Sequence, residues 1–262
     1  MTAVDREILL GDNPLIGSVR ATATYELVVE QVRRAIFLGR FLPGEKLPPE
    51  RDLASQMGVS RTTIREAVRV LEGEGLVTVR RGATGGLIVL GQQTLTPGQV
   101  KSYMETQRGM LDSVFEFRFA NECAAAALAA ARRTESQLRR LSRALEEMDK
   151  LGATAEARER TGNIARFSAW DSEFHLAIAQ ASCNPFLVKA VEDARAAMFL
   201  PIGRVFTRLE DRANDHHAAI FEAIRGRDST AASANMRAHI EATRVSLHSL
   251  LGKPFKPAPS LV

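Results

Sequence analysis

The stretch Leu47–Leu76 constrains the fold of this chain most, because it holds two apolar stripes at helical spacing on either side of a glycine. Leu53, Ala54 and Met57 recur three and four residues apart, which predicts one buried face of a short helix. Gly58 follows as a turn residue, since glycine adopts positive φ angles without a steric penalty. The first half of the stretch therefore predicts a short helix that ends in a tight turn.

The second half of the stretch predicts another helix, with an N-cap, a buried stripe and a basic outer face. Ser60 stands at the N-cap position. The apolar stripe consists of Ile64, Ala67, Val68 and Leu71, and the opposite face carries Arg61, Thr62, Arg65 and Arg69. In a helix-turn-helix the second helix enters the DNA major groove, where arginine pairs bidentately with guanine or phosphate oxygens. Periodicity alone fits an ordinary solvated surface equally well.

Two short segments rich in β-branched residues follow this helix and favour the DNA-binding interpretation. Residues 76–79 and 87–90 each predict a strand, and residues 80–86 between them contain three glycines. Arg80 and Arg81 are adjacent cations at the start of this connection. Such a hairpin is a wing, which places phosphate anchors beside a base-reading helix. Together the segments predict a winged helix-turn-helix.

These segments resemble the winged-helix domain of GntR-type bacterial transcription regulators. The residues that carry the resemblance are Pro43-Gly44, Leu47-Pro48, Glu50-Arg51, Leu53-Ala54, Gly58–Thr62, Arg65–Ala67, Leu71, Glu74–Val77 and the Gly82–Gly86 wing. The chain departs from the family at Pro49, where members commonly have a capping serine, so we expect a weaker helix start. The resemblance implies contacts to double-stranded operator DNA from Arg51, Arg61, Thr62, Thr63, Arg65, Arg81 and Gly82.

Composition bounds the class of protein. The chain has 262 residues, enough for two domains with a core each, and a net charge of +4. Its only cysteines, Cys123 and Cys183, suggest neither a disulfide framework nor a cysteine zinc site. No apolar run reaches the roughly 18 residues of a membrane span, and the N-terminus has no signal-peptide pattern. We expect a cytoplasmic protein that does not associate with membranes.

Helix-breaking residues divide the chain into predicted domains. Residues 1–23 are predicted to be a flexible extension, 24–91 the winged helix-turn-helix and 92–98 a linker. Residues 99–251 lack strand alternation and predict a helical effector-binding domain, in which Gly109 separates the predicted helices Gln99–Arg108 and Leu111–Arg133. Residues 252–262 predict a loose tail. The predicted fold is mainly α: three helices with a two-stranded wing, followed by an all-helical antiparallel bundle.

Four residues of the second domain form a candidate metal site. Asp171 and His175 stand four residues apart, so a helix brings them to one face. Burying both is unfavourable unless something pairs them, and a cation would do so. His217 and His239 lie on later predicted helices, and three imidazoles with one carboxylate suit a divalent transition metal. His216 points about 100° away from His217 on a helix. Hydrogen-bonded core histidines are the competing interpretation.

The second domain resembles the FCD ligand-binding domain, which defines the FadR subgroup of GntR-type regulators. The residues that carry this resemblance are Asp171–His175, Asn184-Pro185, His217–Ile220, Ala223-Ile224, Met236 and His239-Ile240. In many members the matching aspartate and three histidines hold a metal, and small organic acids bind against it. The resemblance therefore implies a divalent metal on Asp171, His175, His217 and His239, with zinc as the first choice and nickel or manganese as alternatives.

The resemblance also suggests Arg118 as an inward-facing cation for the carboxylate of an effector. Bidentate recognition of a carboxylate by arginine is physically reasonable. The competing interpretation is a surface arginine that pairs with Glu122 four residues later on the same helix. The residues alone leave these two readings equally supported.

The expected function is a metabolite-responsive DNA-binding transcription regulator that acts as a homodimer on a near-palindromic operator. A small organic acid would bind the sensor domain and alter operator affinity. The resemblance implies repression relieved by ligand, but some relatives activate, so the sign stays open. A metal-dependent hydrolase-like or other enzyme is an alternative, since an open metal position can activate water, although no additional general base is evident. A fatty-acyl-responsive regulator and a ligand-free interaction module complete the alternatives, and we expect no enzymatic activity.

Overall fold

The computed structural model describes residues 23–82, 85–90, 96–202 and 214–249. The first unit comprises α1 (Thr24–Phe37), α2 (Glu50–Met57), α3 (Arg61–Gly73), β1 (Val77–Arg80) and β2 (Gly86–Val89). The second unit comprises α4 (Pro97–Arg132), α5 (Glu135–Gly152), α6 (Ala155–Glu159), α7 (Thr161–Ala181), α8 (Pro185–Ile202), α9 (Asp215–Arg225) and α10 (Ser229–Ser249). The predicted fold class is confirmed. The predicted N-terminal extension, apart from Ala23, and the predicted C-terminal tail lie outside the described residues.

The helix-turn-helix forms for the local reasons that the sequence indicates. Gly58 ends α2 in the left-handed conformation, with φ of 64°. Ser60 caps α3, because its hydroxyl accepts a hydrogen bond from the Thr63 backbone N–H at 3.0 Å. The predicted apolar stripe of α3 is buried against α1 and α2, with Ile64 and Ala67 fully covered. The N-cap position of α2 is Pro49, which makes no side-chain cap, as predicted.

The wing is a two-stranded antiparallel sheet. Val77 pairs with Val89, and Arg80 pairs with Gly86 at the end of the ladder that faces the hairpin connection. Lys46 forms an isolated bridge with Ile88, so a third piece of chain covers β2. The buried residues of β2 join the same core as α3, which fixes the wing beside that helix.

The second unit is built around the long helix α4, which packs against α7, α8, α9 and α10. Alanines in its C-terminal third are fully buried and let the neighbouring helices approach closely. We predicted that Gly109 would break this region into two helices and that residues 92–98 would be linker. The first expectation is wrong, since α4 runs through Gly109. The second is wrong for Pro97 and Gly98, since α4 begins at Pro97 behind a capping box of Thr96 and Gln99, and residues 92–95 lie outside the described residues. One glycine costs a helix only about 1 kcal/mol, which a helix of 36 residues tolerates.

The two units are in contact through the end of α1. Leu38 is buried with Leu176, Ala179 and Val191, which belong to α7 and α8. Gly39 has φ of 70°, and a Cβ at this position would lie 2.3 Å from the Cβ of Ala169. The backbone of the first unit therefore rests directly on α7, where no side chain fits between them.

Ion pairs surround this apolar contact. The Arg34 guanidinium lies 2.5 Å from the Asp193 carboxylate, and Arg40 lies 3.3 Å from Glu192. Both acids belong to α8, and both arginines belong to the last turns of α1 and the residues after it. None of the described helices, including those at this contact, is both long and apolar enough to cross a membrane.

Candidate metal centre and DNA-reading surface

The predicted DNA-contacting residues are carried by α2, α3 and the wing of the first unit. Arg51, Arg61, Thr62, Arg65, Arg81 and Gly82 are exposed, and Thr63 is half-buried because its hydroxyl approaches that of Ser60. Arg61, Thr62 and Arg65 occupy the N-terminal half of α3, the end that reads bases in helix-turn-helix proteins. Arg81 and Gly82 follow β1 at the wing.

The arginines of this surface have only weak intramolecular partners. Arg65 lies 2.9 Å from Glu50, and the two side chains are 57% and 34% exposed. Arg51 lies 3.3 Å from Asp52, with 83% of its side chain exposed. Ion pairs this exposed contribute about 0–1 kcal/mol, so DNA phosphates can replace the acids at little energetic cost. Arg61 and Arg65 are both exposed, as a DNA-reading role requires and as an ordinary solvated surface would also show.

The four predicted metal ligands converge inside the second unit. The ligand atoms of Asp171, His175, His217 and His239 all lie within 4.8 Å of one another. The His217 Nε2 lies 2.8 Å from the Asp171 Oδ1, and the Nε2 atoms of His175 and His239 lie 3.2 Å apart. Helices α7, α9 and α10 each contribute to the cluster, so it joins segments separated by up to 68 residues of chain. The adjacent His216 is exposed, in agreement with the choice of His217.

The pKa values of Asp171, His217 and His239 are shifted in this cluster. Burial lowers the pKa of His217 and holds the pKa of His239 well below the ordinary histidine value, because a charged imidazole loses its hydration. Burial alone would raise the pKa of Asp171, but the Arg195 guanidinium and the two imidazoles bring that pKa well below the usual range. Neutral imidazoles beside an ionised carboxylate are the forms in which these side chains bind metals.

The spacing of these atoms fits a divalent transition metal. Zinc binds imidazole nitrogen and carboxylate oxygen at about 2.0–2.2 Å, so ligand atoms around one ion lie roughly 3–4.4 Å apart. The separations in the cluster are close to this range. In addition, the buried Nδ1 of His217 has no hydrogen-bond partner among the described residues, so only one nitrogen of that ring is engaged by the protein.

The structure places Arg118 in the core, not on the surface. Its side chain is fully buried, and its Nε lies 2.5 Å from the Glu122 Oε1. The predicted pairing with Glu122 is therefore present but in a buried setting. Glu122 in turn lies with its Oε2 2.5 Å from the His175 Nδ1, a contact that sequence reasoning missed. A direct role of Arg118 in effector binding stays a prediction.

Arg195 was also missed. Its guanidinium, 4% exposed, contacts the Asp171 Oδ2 and donates to the Ser172 hydroxyl at 3.2 Å. The sequence holds a signal for the buried positions of both Glu122 and Arg195. Arg118 and Glu122 stand at the spacing of the apolar stripe that contains Phe115, and Arg195 stands four residues from the buried Val191. A charged residue in a helix's apolar stripe must find a buried partner.

The fold and the two sites define a class of protein: a winged helix-turn-helix reader joined to a helical domain with a buried cluster of one acid and three histidines. Residues 24–84 match the family of bacterial regulatory proteins named gntR, and residues 113–242 match the FCD domain. The chain is 30% identical over 235 residues to the Uxu operon transcriptional regulator of Escherichia coli (strain K12), which covers 84% of this chain and 85% of that protein.

Two further relatives agree with this assignment. The Glc operon transcriptional activator of the same strain is 28% identical over 231 residues, or 86% of this chain and 89% of that protein. The solved structure of E. coli McbR/YncC covers 87% of this chain and 99% of its own, with 20% identity and a TM-score of 0.51, and supports the fold alone. The chain therefore belongs to the GntR family of bacterial regulatory proteins, carries an FCD domain, and is a DNA-binding transcription regulator.

Proposed function

We propose that this regulator binds a divalent metal, zinc first, at Asp171, His175, His217 and His239. A small organic acid would bind against the metal and alter operator affinity. The observation that carries the proposal is the convergence of four ligand atoms within 4.8 Å. The lowered pKa values of Asp171, His217 and His239 support it, because they favour the forms that bind cations. A bound metal would supply open coordination positions that attract a carboxylate.

The contact between the units supports a route from the effector to the DNA-reading surface. Ala169, which touches Gly39, precedes Asp171 by two residues on α7. Asp193, which pairs with Arg34, precedes Arg195 by two residues on α8. The helices that carry the cluster and its supporting arginine are therefore also the helices on which the DNA-binding unit rests. A ligand that shifts α7 against α8 would move the surface on which α1 rests. This requires that the ligand bind the shifted and unshifted arrangements of these helices with different affinity.

We propose further that the protein acts as a homodimer. Along α4, Met110, Ser113, Phe117, Ala120 and Ala124 alternate at spacings of three and four residues and are all exposed. This spacing lets two helices pack along a common seam, and two readers would then meet two operator half-sites. Phe117→Glu should yield monomers in sedimentation, whereas Phe186→Glu, at an 84% exposed phenylalanine outside this face, should leave the dimer intact. A dimeric Phe117→Glu protein would contradict the use of this face.

The effector proposal is tested with operator DNA selected from random sequence by the protein itself. Fluorescence anisotropy would compare zinc-loaded with chelator-treated protein, each with L-lactate as a hydroxy acid, D-glucuronate as a sugar acid, or a long-chain acyl-CoA. We expect an organic acid to change operator affinity about 5–150-fold in the zinc-loaded protein only. A response to acyl-CoA that needs no metal would support the fatty-acyl alternative, and no response to any ligand would support an interaction module.

The direction of regulation and the absence of catalysis need separate measurements. We propose repression that the effector relieves, and a reporter gene behind the selected operator would rise on effector addition. Because one relative is named a transcriptional activator, a reporter that falls when the regulator is deleted would reverse the sign. We also propose that the metal serves binding only, so the zinc-loaded protein should gain thermal stability from the acid without converting it.

A further inference from the structure

Glu122 lies directly behind one of the candidate metal ligands. Its side chain is 1% exposed, and its Oε2 lies 2.5 Å from the Nδ1 of His175, an ion-pair contact by distance whose angle at the ring nitrogen falls outside hydrogen-bond geometry in this arrangement of side chains. The other ring nitrogen of His175 faces the cluster, 3.5 Å from the Asp171 Oδ1 and 3.2 Å from the His239 Nε2. The imidazole of His175 therefore stands between a buried carboxylate on α4 and the four-residue cluster.

Arg118 fixes the position and the charge of this carboxylate. Its Nε and Nη2 reach the two oxygens of Glu122 at 2.5 and 3.5 Å, while its Nη1 lies 3.0 Å from the Met198 sulfur. The guanidinium also lies over the Phe115 ring, 5.8 Å from the centroid. A buried guanidinium at this distance pairs with a carboxylate, so Arg118 holds Glu122 in its ionised form. An ionised carboxylate can only accept hydrogen bonds.

The acid ligand of the cluster has an equivalent support. Arg195 contacts the Oδ2 of Asp171, which leaves the Oδ1 directed at His217 and His175. His175 and Asp171 thus each have one atom in contact with a buried charged side chain, Glu122 or Arg195, and another atom that faces the cluster. Such outer partners orient metal ligands and select the tautomer of a histidine.

We propose that Glu122 is a positioning residue of the metal centre, which holds His175 as the Nδ1–H tautomer so that its Nε2 lone pair faces the ion, with Arg118 fixing Glu122 in turn. The inference rests on the proposed metal binding. It gives the Arg118–Glu122 pair a role that does not require either side chain to touch the effector.

The tautomer can be read without metal. In metal-free protein with ¹⁵N-labelled histidine, long-range ¹H–¹⁵N spectra, assigned by comparison with His175→Gln, should show the proton of His175 on Nδ1. A proton on Nε2 would overturn the proposal. The native chain is used for this measurement, so it does not depend on the folding of a variant.

The effect on metal affinity is measured by competition with a chromogenic chelator. We expect Glu122→Gln to weaken zinc binding about 10–100-fold, the range typical when a side chain that supports a metal ligand is removed. Glu116→Gln removes the same charge from an exposed position on the same helix and should bind zinc as the native protein does. If Glu122→Gln leaves Arg118 unpaired and unfolds the domain, the double variant Arg118→Met with Glu122→Gln removes both buried charges and should show the same weakening.

The outcomes separate the two proposals. Native protein that binds zinc, with Glu122→Gln and the double variant binding it equally well, would overturn the positioning role and leave the metal centre standing. Native protein that binds no zinc at millimolar concentration would overturn the metal centre and this inference with it. A merely structural role of Glu122 would lower the melting temperature of the variant without changing its zinc affinity or the tautomer of His175.

Discussion

The two functional regions of this regulator are built in opposite ways. The DNA-reading surface takes its side chains from one short stretch of chain, exposes them to solvent and gives them weak partners. The candidate metal cluster takes its side chains from three helices, buries its three histidines and surrounds its members with dedicated partners. A reading surface must exchange its partners for DNA, whereas a metal centre must keep its geometry before the ion arrives. Substitutions in the first region should therefore change binding alone, and substitutions in the second should change binding and stability together.

The largest effect is expected for His217→Ala, which removes a ligand of the cluster. Zinc affinity should fall by more than about 100-fold, because the loss of outer-shell partners already costs about 10–100-fold. The stabilisation that zinc gives to the native protein, about 2.7 kcal/mol at one hundred times the dissociation constant, should disappear. Metal analysis and thermal unfolding check both. His216→Ala, at the exposed neighbour, should behave as native, and full zinc occupancy in His217→Ala would remove this residue from the site.

At the reading surface, Arg65→Ala should weaken operator binding by about 1–3 kcal/mol if this arginine contacts a base. The free energy of unfolding should stay within about 0.5 kcal/mol of the native value, because the side chain is 57% exposed. Fluorescence anisotropy on the selected operator measures the first quantity and urea unfolding the second. Lys150→Ala removes the same charge far from this face and serves as control. Unchanged affinity would take Arg65 off the reading surface.

The stability of the metal-free protein should depend on pH because of the cluster. Burial lowers the folded-state pKa of His217 and His239, so below about pH 6.5 the unfolded chain binds more protons than the folded one. The free energy of unfolding should therefore fall by about 1–3 kcal/mol between pH 7.5 and 5.5. Urea unfolding at each pH measures this. His239→Gln should reduce the slope, and a flat profile in the native protein would mean that the imidazoles gain protons inside the fold.

A smaller effect should separate contact between the units from backbone strain. Gly39 and Gly44 both have positive φ angles, of 70° and 89°, but only Gly39 lies against Ala169. Alanine at either site carries about 1 kcal/mol of backbone strain, and Gly39→Ala adds a clash with α7. We expect Gly39→Ala to be the less stable variant by about 1 kcal/mol or more, and to lose the effector response that Gly44→Ala retains. Equal stabilities would show that the contact on α7 contributes nothing.

The same contrast explains what the sequence could predict. The winged helix-turn-helix depends on interactions between residues close in sequence. The Ser60 cap, the Gly58 turn and the buried stripe through Ile64 could therefore be predicted from the sequence alone. The four ligands could be proposed from Asp171 and His175 on one helix and from the family resemblance. Their convergence depends on how three helices pack, which local periodicity does not encode.

The errors of prediction have two physical causes. Gly109 was expected to break a helix because its local propensity is low, but one glycine costs only about 1 kcal/mol and α4 continues through it. Arg118 was weighed as a surface residue or an effector ligand, because charge in a helix normally lies outside the core. The structure buries it with Glu122, and Arg195 is buried against Asp171 in the same way. Tertiary contacts decided the positions of these two arginines.

The close seat of Gly39 on Ala169 also limits how this protein can be rebuilt as a biosensor. A chimaera that joins its reader to the sensor of a relative must keep glycine at position 39 and a side chain no larger than methyl at position 169 of the new α7. Acidic residues equivalent to Glu192 and Asp193 must also meet Arg40 and Arg34. Where these three conditions are met, swapping sensors should transfer the inducer specificity while the operator stays the same.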